Sequence, residues 1–132
     1  MKKGYKALLA EANAEVTAMN PAKAAELAKG DDTLLVDLRD PRELEANGRI
    51  PGAKSCPRGM LEFWIDPESP YHKDWFSSGK RFVFFCAGGL RSALAAKAVQ
   101  DMGLSPVCHI RGGFGAWKAA GGPVEAREPK QK

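Results

Sequence analysis

Short apolar runs and helix-like segments alternate along most of this chain, and this alternation is the strongest constraint on its fold. Each apolar run is followed, after a short polar or glycine-containing turn, by a helical pattern. The pairs are the run "TLLVDLR" with the helix in "DPRELEANG", a strand at 82–86 with a helix at about 91–102, and a strand at about 106–110 with a helix at 113–120. Successive strand–helix units need right-handed crossovers, so the pattern predicts an α/β fold with a parallel sheet and helices on both faces.

Capping residues mark where two of the helices begin. In "NPAKAAELAKG" we expect Asn20 to be the N-cap, with Pro21 in the first turn. In "DPRELEANG" Asp40 and Glu43 form a capping-box pattern around Pro41. Both helices are therefore predicted from local signals alone.

The remaining segments have less regular patterns. Residues 5–18 have the spacing of an amphipathic helix, "RIPGAKSCP" predicts a turn and a short extended segment, and "RGMLEFWID" is helical in pattern. The stretch "PESPYHKDWFSSGK" predicts a surface loop or broken helix because it contains prolines, serines and a glycine. We therefore divide the chain into an N-terminal helical extension (1–19), one domain (20–124) and a flexible tail (125–132).

The positive charge of the chain is concentrated at its ends. The 132 residues have a formal net charge of +4, but the first six and last six residues carry six basic side chains and one acidic side chain. The body between them has 14 basic and 15 acidic residues, which is unlike the basic face of a nucleic-acid-binding protein. No apolar run approaches the roughly 18 residues of a membrane span, and the apolar stretch near the start ends at Glu11, too early for a signal peptide. We expect a cytoplasmic protein without nucleic-acid or membrane partners.

Three cysteines are present, Cys56, Cys86 and Cys108. An odd number at wide spacing does not form a disulfide framework, so we expect free, reduced thiols. No Cys-x-x-Cys pair occurs, the two histidines, His72 and His109, are far apart, and the neighbours Cys108 and His109 would point to opposite sides of a strand. The sequence therefore predicts no metal site, and its glycine patterns do not support a nucleotide cofactor.

Cys86 differs from the other cysteines because it stands where a strand turns into a helix, and ligands of parallel sheets bind at such carboxyl ends. The glycines of "CAGGLR" allow backbone N–H groups to converge, and the following helix adds the positive end of its dipole. This setting favours a nucleophilic thiolate at Cys86, with Arg91 supplying a fork of donors for an oxyanion. The alternative is that Cys86 is a small buried hydrophobic residue, which is our interpretation of Cys56 and Cys108.

Three stretches of the chain resemble the rhodanese-like domain family in order and spacing: "LLVDLRDPRELEANGRIPGA", "CAGGLRS" and "IRGGFGAWKAAGGPV". They span nearly everything from Leu34 to Val124. The resemblance implies a central parallel sheet of about five strands with helices on both faces. It also implies sulfur chemistry, in which a loop cysteine takes a sulfane sulfur, becomes a persulfide and passes the outer sulfur on. By this resemblance Cys86 is the nucleophile, and the persulfide and donor anion are held by Ala87, Gly88, Gly89, Leu90 and Arg91.

Loop length distinguishes this pattern from that of related enzymes. Related phosphatases and arsenate reductases place five residues between cysteine and arginine, whereas four intervene here, from Ala87 to Leu90. The smaller ring of N–H groups fits a sulfur atom better than a tetrahedral phosphate or arsenate. We therefore do not expect phosphatase activity.

Other residues match the family with less certain roles. Asp37 and Arg39 match a pair at the end of the first core strand, and they either brace the loop from behind or form an ion pair that only holds strand to helix. Trp117 matches a core residue. Arg49 stands where the family usually has a histidine, a change that affects a local hydrogen bond more than the activity.

The histidines and the central aromatic residues are not expected to take part in the chemistry. His72 and His109 are interpreted as surface or strand residues, because persulfide transfer needs no dedicated proton shuttle. Five aromatic residues of the least family-like region either rim the site or pack this segment onto the body: Phe63, Trp64, Tyr71, Trp75 and Phe76.

The sequence thus predicts a single-domain sulfurtransferase that needs no metal or organic cofactor. The donor would be thiosulfate or a similar small sulfur anion, and the acceptor would be cyanide or a thiol, including a thiol on a protein. The competing hypothesis is a non-catalytic module for protein interaction or regulation. In that case the helical extension at 5–18 is the candidate partner or dimer surface.

Overall fold

The computed structural model describes residues 1–127. Its strands are β1 (Ala18–Met19), β2 (Thr33–Asp37), β3 (Lys54–Ser55), β4 (Arg81–Phe85) and β5 (Val107–Ile110). Its helices are α1 (Tyr5–Glu15), α2 (Pro21–Ala28), α3 (Pro41–Asn47), α4 (Leu61–Ile65), α5 (Leu90–Asp101) and α6 (Gly113–Ala119), with short 3₁₀ turns at Arg58–Met60 and Asp74–Ser77. The strands form one parallel sheet in the order β1-β5-β4-β2-β3. The predicted α/β class and the count of about five strands are confirmed.

The strand β4 lies at the centre of the sheet, and its position explains why its sequence is apolar without alternation. Phe82 and Phe84 face a core shared with α4 and α5, whereas Val83 and Phe85 face a second core shared with α2 and α6. All four side chains are buried, as expected for a parallel strand between two helical layers. The residue that follows this strand, Cys86, is therefore placed by packing on both faces of the sheet.

The helix predicted at 5–18 is too long. In the structure α1 ends at Glu15, and Ala18–Met19 form an edge strand on β5. The backbone bonds that frame this strand run from His109 N to Thr17 O (3.0 Å) and from Arg111 N to Met19 O (2.8 Å). The local pattern suggested a helix because Val16 keeps the helical spacing, but the open edge of β5 supplies backbone partners that the local pattern does not reveal.

The helix α1 packs on α5, so part of its apolar face is used within the molecule. Ala12 is fully buried, and Lys97 Nζ of α5 lies 3.5 Å from Glu15 Oε2. Leu8, by contrast, stays exposed. No helix within residues 1–127 has both the length and the apolar character that a membrane crossing requires.

The chain after α6 returns to the domain at Arg49. The backbone N–H groups of Arg49 and Glu125 each donate to the other's carbonyl at 2.8 Å, and Arg49 Nε lies 3.1 Å from Glu125 Oε2. The predicted tail of 125–132 therefore begins with a paired residue, and residues 128–132 lie outside the described part. Arg49 thus holds the returning chain in place.

Candidate active site

Cys86 lies at the carboxyl end of β4, in the loop that leads into α5. Gly89 is the N-cap of α5 and has a φ of +103°, in the left-handed region that residues with a side chain rarely adopt. This turn brings the first turn of α5 back towards the cysteine. The ends of β2 and β5 flank the loop because both strands run parallel to β4 and pair with it.

Several donors converge on the sulfur of Cys86. The N–H of Gly89 donates to Sγ at 3.2 Å and the N–H of Ser92 at 3.4 Å, while Ser92 Oγ lies 3.7 Å from Sγ. Burial opposes ionisation, since Cys86 is only 1 % exposed. The hydrogen bonds from Ser92, Gly89 and Gly88 outweigh that effect and lower the pKa of the Cys86 thiol below its ordinary value. The site therefore favours the thiolate.

The first turn of α6 sets the orientation of this loop. Phe114 N donates to Cys86 O at 2.8 Å, and Gly115 N donates to Ala87 O at 3.1 Å. In a trans peptide the N–H points away from the C=O of the same peptide unit. Because α6 binds the carbonyls of Cys86 and Ala87, the N–H groups of Ala87 and Gly88 point away from α6. The glycines of "RGGFGAW" matter here: a Cβ on Gly113 would lie 2.5 Å from Cys86 O. This contact explains the need for glycine at position 113, which the resemblance of the motif alone does not reveal.

Ser92 and His109 form a buried line with Cys86 that the sequence analysis missed. Ser92 Oγ lies 2.9 Å from His109 Nδ1, and both side chains are buried. The interpretation of His109 as a strand residue is confirmed, but the side chain points into the site. A usable signal was present: Ser92 stands in the first turn of the helix after the nucleophile, and the neighbouring strand carries His109.

Arg91 is engaged by a carboxylate. Its Nη1 and Nη2 each lie 2.9 Å from an oxygen of Glu43, the residue of the α3 capping box whose Oε2 also accepts from Asp40 N. The hydrogen bond from Arg91 lowers the pKa of Glu43. The guanidinium thus lies beside the loop with part of its donor fork already used.

Asp37 and Arg39 form a buried ion pair at the end of β2. Arg39 Nη2 donates to Asp37 Oδ2 at 2.7 Å and to Gly48 O at 3.0 Å, and the guanidinium carbon lies 4.0 Å from the centre of the Phe114 ring. The structure contains contacts that fit each of the two roles suggested by the sequence, namely holding strand to helix and bracing the cysteine loop. The bond to Gly48 ties the strand to the end of α3, and the contact with Phe114 reaches the residue that holds Cys86 O.

The other two cysteines lie in apolar surroundings. Burial raises the pKa of Cys56 to about 12 and also raises the pKa of Cys108. Trp117 is buried, and its Nε1 donates to Pro123 O at 2.9 Å, as suits a core residue. Among the residues that the structure describes, Cys86 is therefore the one thiol whose surroundings favour ionisation.

The central aromatic residues pack their segment onto the body. Phe76 is buried against Phe82. Trp64 and Trp75 are half-buried, and the ammonium groups of Lys73 and Lys54 lie over the Trp64 ring and the Trp75 ring, respectively. Two members stay exposed, Phe63 and Tyr71. His72 bonds within the same segment, with Nδ1 3.0 Å from Trp64 O.

Comparison with known proteins gives consistent matches. A family model described as the rhodanese-like domain matches residues 20–120. A sulfurtransferase from Allochromatium vinosum is 35% identical over 102 residues, which cover 77% of this chain and 87% of the relative.

Two solved structures add to this picture. A protein of unknown function from Rhodopseudomonas palustris, described as a possible tyrosine phosphatase, superposes with a TM-score of 0.92 at 61% identity and covers 95% of this chain and 96% of its own. The polysulfide-sulfur transferase homodimer from Wolinella succinogenes superposes with a TM-score of 0.71 at 31% identity, covering 93% of this chain and 88% of its own.

Proposed function

The chain belongs to the rhodanese-like domain family, and from this membership we propose that it is a sulfurtransferase in which Cys86 carries the sulfur as a persulfide. The observation that carries the proposal is the convergence of the backbone N–H groups of Gly89 and Ser92 on Cys86 Sγ, with Ser92 Oγ 3.7 Å from the sulfur. A terminal sulfur bears negative charge in a persulfide anion, so a ring of fixed donors stabilises the loaded form as well as the thiolate.

In the loading step the Cys86 thiolate attacks the outer sulfur of thiosulfate. A Cys86 S–S bond forms, the S–S bond of the donor breaks, and its electron pair leaves with sulfite. The protein side retains one negative charge, which moves from Sγ to the new terminal sulfur. We propose that the N–H groups fixed around Sγ also face the adjoining terminal sulfur, and such preorganised donors lower the barrier of the step.

In the discharge step a nucleophile attacks the terminal sulfur and regenerates the thiolate. Cyanide would leave as thiocyanate, and a thiolate acceptor would leave as a persulfide. A cleft of about 470 Å³ beside Gly88, Gly89 and Leu90 is large enough for a small acceptor. We assign the activity to a reducing, cytoplasmic setting, where three free thiols such as these remain reduced.

Arg91 is proposed to assist the donor anion rather than to hold the cysteine. It stands in the first turn of α5 and carries a permanent positive charge near Cys86. Glu43 already uses part of its donor fork. Arg91 would therefore act mainly by its charge, unless an incoming anion displaces Glu43.

The test is the intact mass of the protein after a short incubation with thiosulfate. We expect a gain of one sulfur atom that a reductant reverses. The gain should be absent from Cys86→Ser and present in Cys108→Ala, which removes a thiol from the neighbouring strand. No gain in wild-type protein whose Cys86 can still be alkylated would reject thiosulfate loading and favour the non-catalytic interaction module.

A tyrosine phosphatase is the second candidate, because the relative from Rhodopseudomonas palustris is described as a possible one. Only four residues separate Cys86 from Arg91, and Arg91 pairs with Glu43. Both features work against a cradle for a tetrahedral phosphate. We expect no hydrolysis of p-nitrophenyl phosphate above the rate of Cys86→Ser. Cysteine-dependent hydrolysis without sulfur loading would favour the phosphatase instead.

A further inference from the structure

Cys86, Ser92 and His109 contact one another in series, and the last atom of the series, His109 Nε2, has no hydrogen-bond partner within residues 1–127. Ser92 Oγ lies between Cys86 Sγ at 3.7 Å and His109 Nδ1 at 2.9 Å. His109 is 4 % exposed, and its Nε2 finds no hydrogen-bond partner within residues 1–127. The two ring nitrogens of this histidine are therefore in very different surroundings.

This difference determines which nitrogen carries the proton. A neutral imidazole has one N–H donor and one acceptor. A proton on Nε2 would leave a buried donor without a partner, whereas a proton on Nδ1 is donated to Ser92 Oγ and leaves only a lone pair at Nε2. Buried donors without partners are rarer and more costly than acceptors without partners. The favoured form of His109 is therefore the Nδ1–H tautomer.

The tautomer in turn orients the hydroxyl of Ser92. When Oγ accepts from His109 Nδ1–H, its own hydrogen is free to point at Cys86 Sγ. We propose that His109 is a positioning residue that aims the Ser92 hydroxyl at the Cys86 thiolate. This role rests on the proposed use of Cys86 as the nucleophile and adds a residue that does not touch the substrate.

The charges around this line agree with a neutral histidine. Burial lowers the pKa of His109, and the positive charge of Arg111, which follows the end of β5, lowers it further. The element α1 contributes the uncharged Asn13 to the cleft that His109 lines, and Arg91 of α5 lies on the Cys86 side. Arg111 therefore disfavours a protonated imidazole at His109, and Arg91 favours a thiolate at Cys86.

The direct test is nitrogen-15 NMR of wild-type protein labelled at histidine. The chain has only two histidines, so His72→Gln assigns both sets of signals. We expect His109 to have a protonated Nδ1 and a bare Nε2, with a pKa below the ordinary histidine value. An Nε2–H tautomer, or a cationic ring at neutral pH, would overturn the proposal.

The second test measures the pH at which alkylation of Cys86 by iodoacetamide reaches half its maximal rate. His109→Leu should raise this midpoint and slow alkylation at pH 7 about three- to tenfold, in proportion to the loss of one oriented hydrogen bond. His109→Asn should restore most of the rate, because its side-chain amide can donate from near the position of Nδ1. The double variant Ser92→Ala/His109→Leu should behave like Ser92→Ala alone.

These readouts separate this proposal from the proposed function. Alkylation and NMR need no sulfur donor, so a failure to load sulfur would leave them unchanged. An unaltered midpoint in folded His109→Leu, or additive effects in the double variant, would reject the positioning role. If His109→Leu does not fold, the NMR measurement on wild-type protein decides.

Discussion

Arg91 and Glu43 form a two-pronged ion pair that joins the first turn of α5 to the first turn of α3, with both N–O distances at 2.9 Å. The pair is partly exposed, so its contribution to stability is at most about 1 kcal/mol. We propose that its greater effect is on the binding of an anionic sulfur donor. A carboxylate already occupies the donors that an anionic sulfur donor would use.

Glu43→Gln should therefore improve the use of thiosulfate. The amide can still accept from Asp40 N and so preserves the capping box, but it no longer neutralises Arg91. We expect kcat/KM for thiosulfate to rise roughly fivefold at low salt. Glu45→Gln, on an exposed position of the same helix, is the matched control. An unchanged or lower kcat/KM would mean that Arg91 does not bind the donor.

Cys86 should be the thiol that reacts first. Because its pKa is lowered, its thiolate fraction rises at a lower pH than that of an ordinary cysteine. Burial raises the pKa of Cys56 to about 12 and also raises the pKa of Cys108. Limited iodoacetamide labelling at pH 7, followed by peptide mass spectrometry, should find the label on Cys86. Equal labelling of Cys108 in folded protein would contradict this expectation.

Gly113→Ala should disturb the loop from the side of α6. The backbone there has a φ of +63°, and the new Cβ would lie 2.5 Å from Cys86 O. We expect a loss of about 2–4 kcal/mol in the free energy of unfolding, measured in urea, together with loss of sulfur loading. Gly121→Ala meets the same backbone strain at φ +84° but has no atom within 4 Å of the new Cβ. It should cost only about 1–2 kcal/mol and leave loading intact. Equal effects of the two substitutions would argue against the contact.

Arg39→Met should be strongly destabilising because it leaves the Asp37 carboxylate buried without its partner. Both side chains are almost completely buried, and breaking such a pair typically costs about 3–5 kcal/mol. Asp37→Leu/Arg39→Met removes both charges and should recover much of that loss in the free energy of unfolding. If the double variant were as unstable as Arg39→Met, the hydrogen bond to Gly48 and the contact with Phe114 would dominate instead.

The sequence was sufficient for features that depend on neighbours along the chain. The apolar run of β4, the capping box at Asp40 and the glycine turn after Cys86 each involve a few consecutive residues, and their physical causes are local. The position of the candidate nucleophile followed from these signals together with the rule that parallel sheets bind ligands at their carboxyl edge. For this reason the fold and Cys86 were both accessible before the structure.

Features that depend on tertiary contacts were missed. Glu43 was interpreted as a capping residue, yet it also pairs with Arg91, 48 residues away. His109 reaches the site because β5 lies beside β4, which puts it in register with Phe84. The strand Ala18–Met19 exists because β5 has a free edge. No window of sequence contains both partners of these contacts.

The bonds from Phe114 and Gly115 to the loop carbonyls bear on any attempt to engineer this chemistry. A transplant of "CAGGLR" into another α/β scaffold would carry the cysteine and the glycines but leave Cys86 O and Ala87 O without the amides that hold them. These peptide planes would then be free to rotate, and the N–H of Gly88 would no longer be directed at the thiol. The smallest portable unit is therefore two separated segments: the loop with the start of α5, and the glycine turn that opens α6.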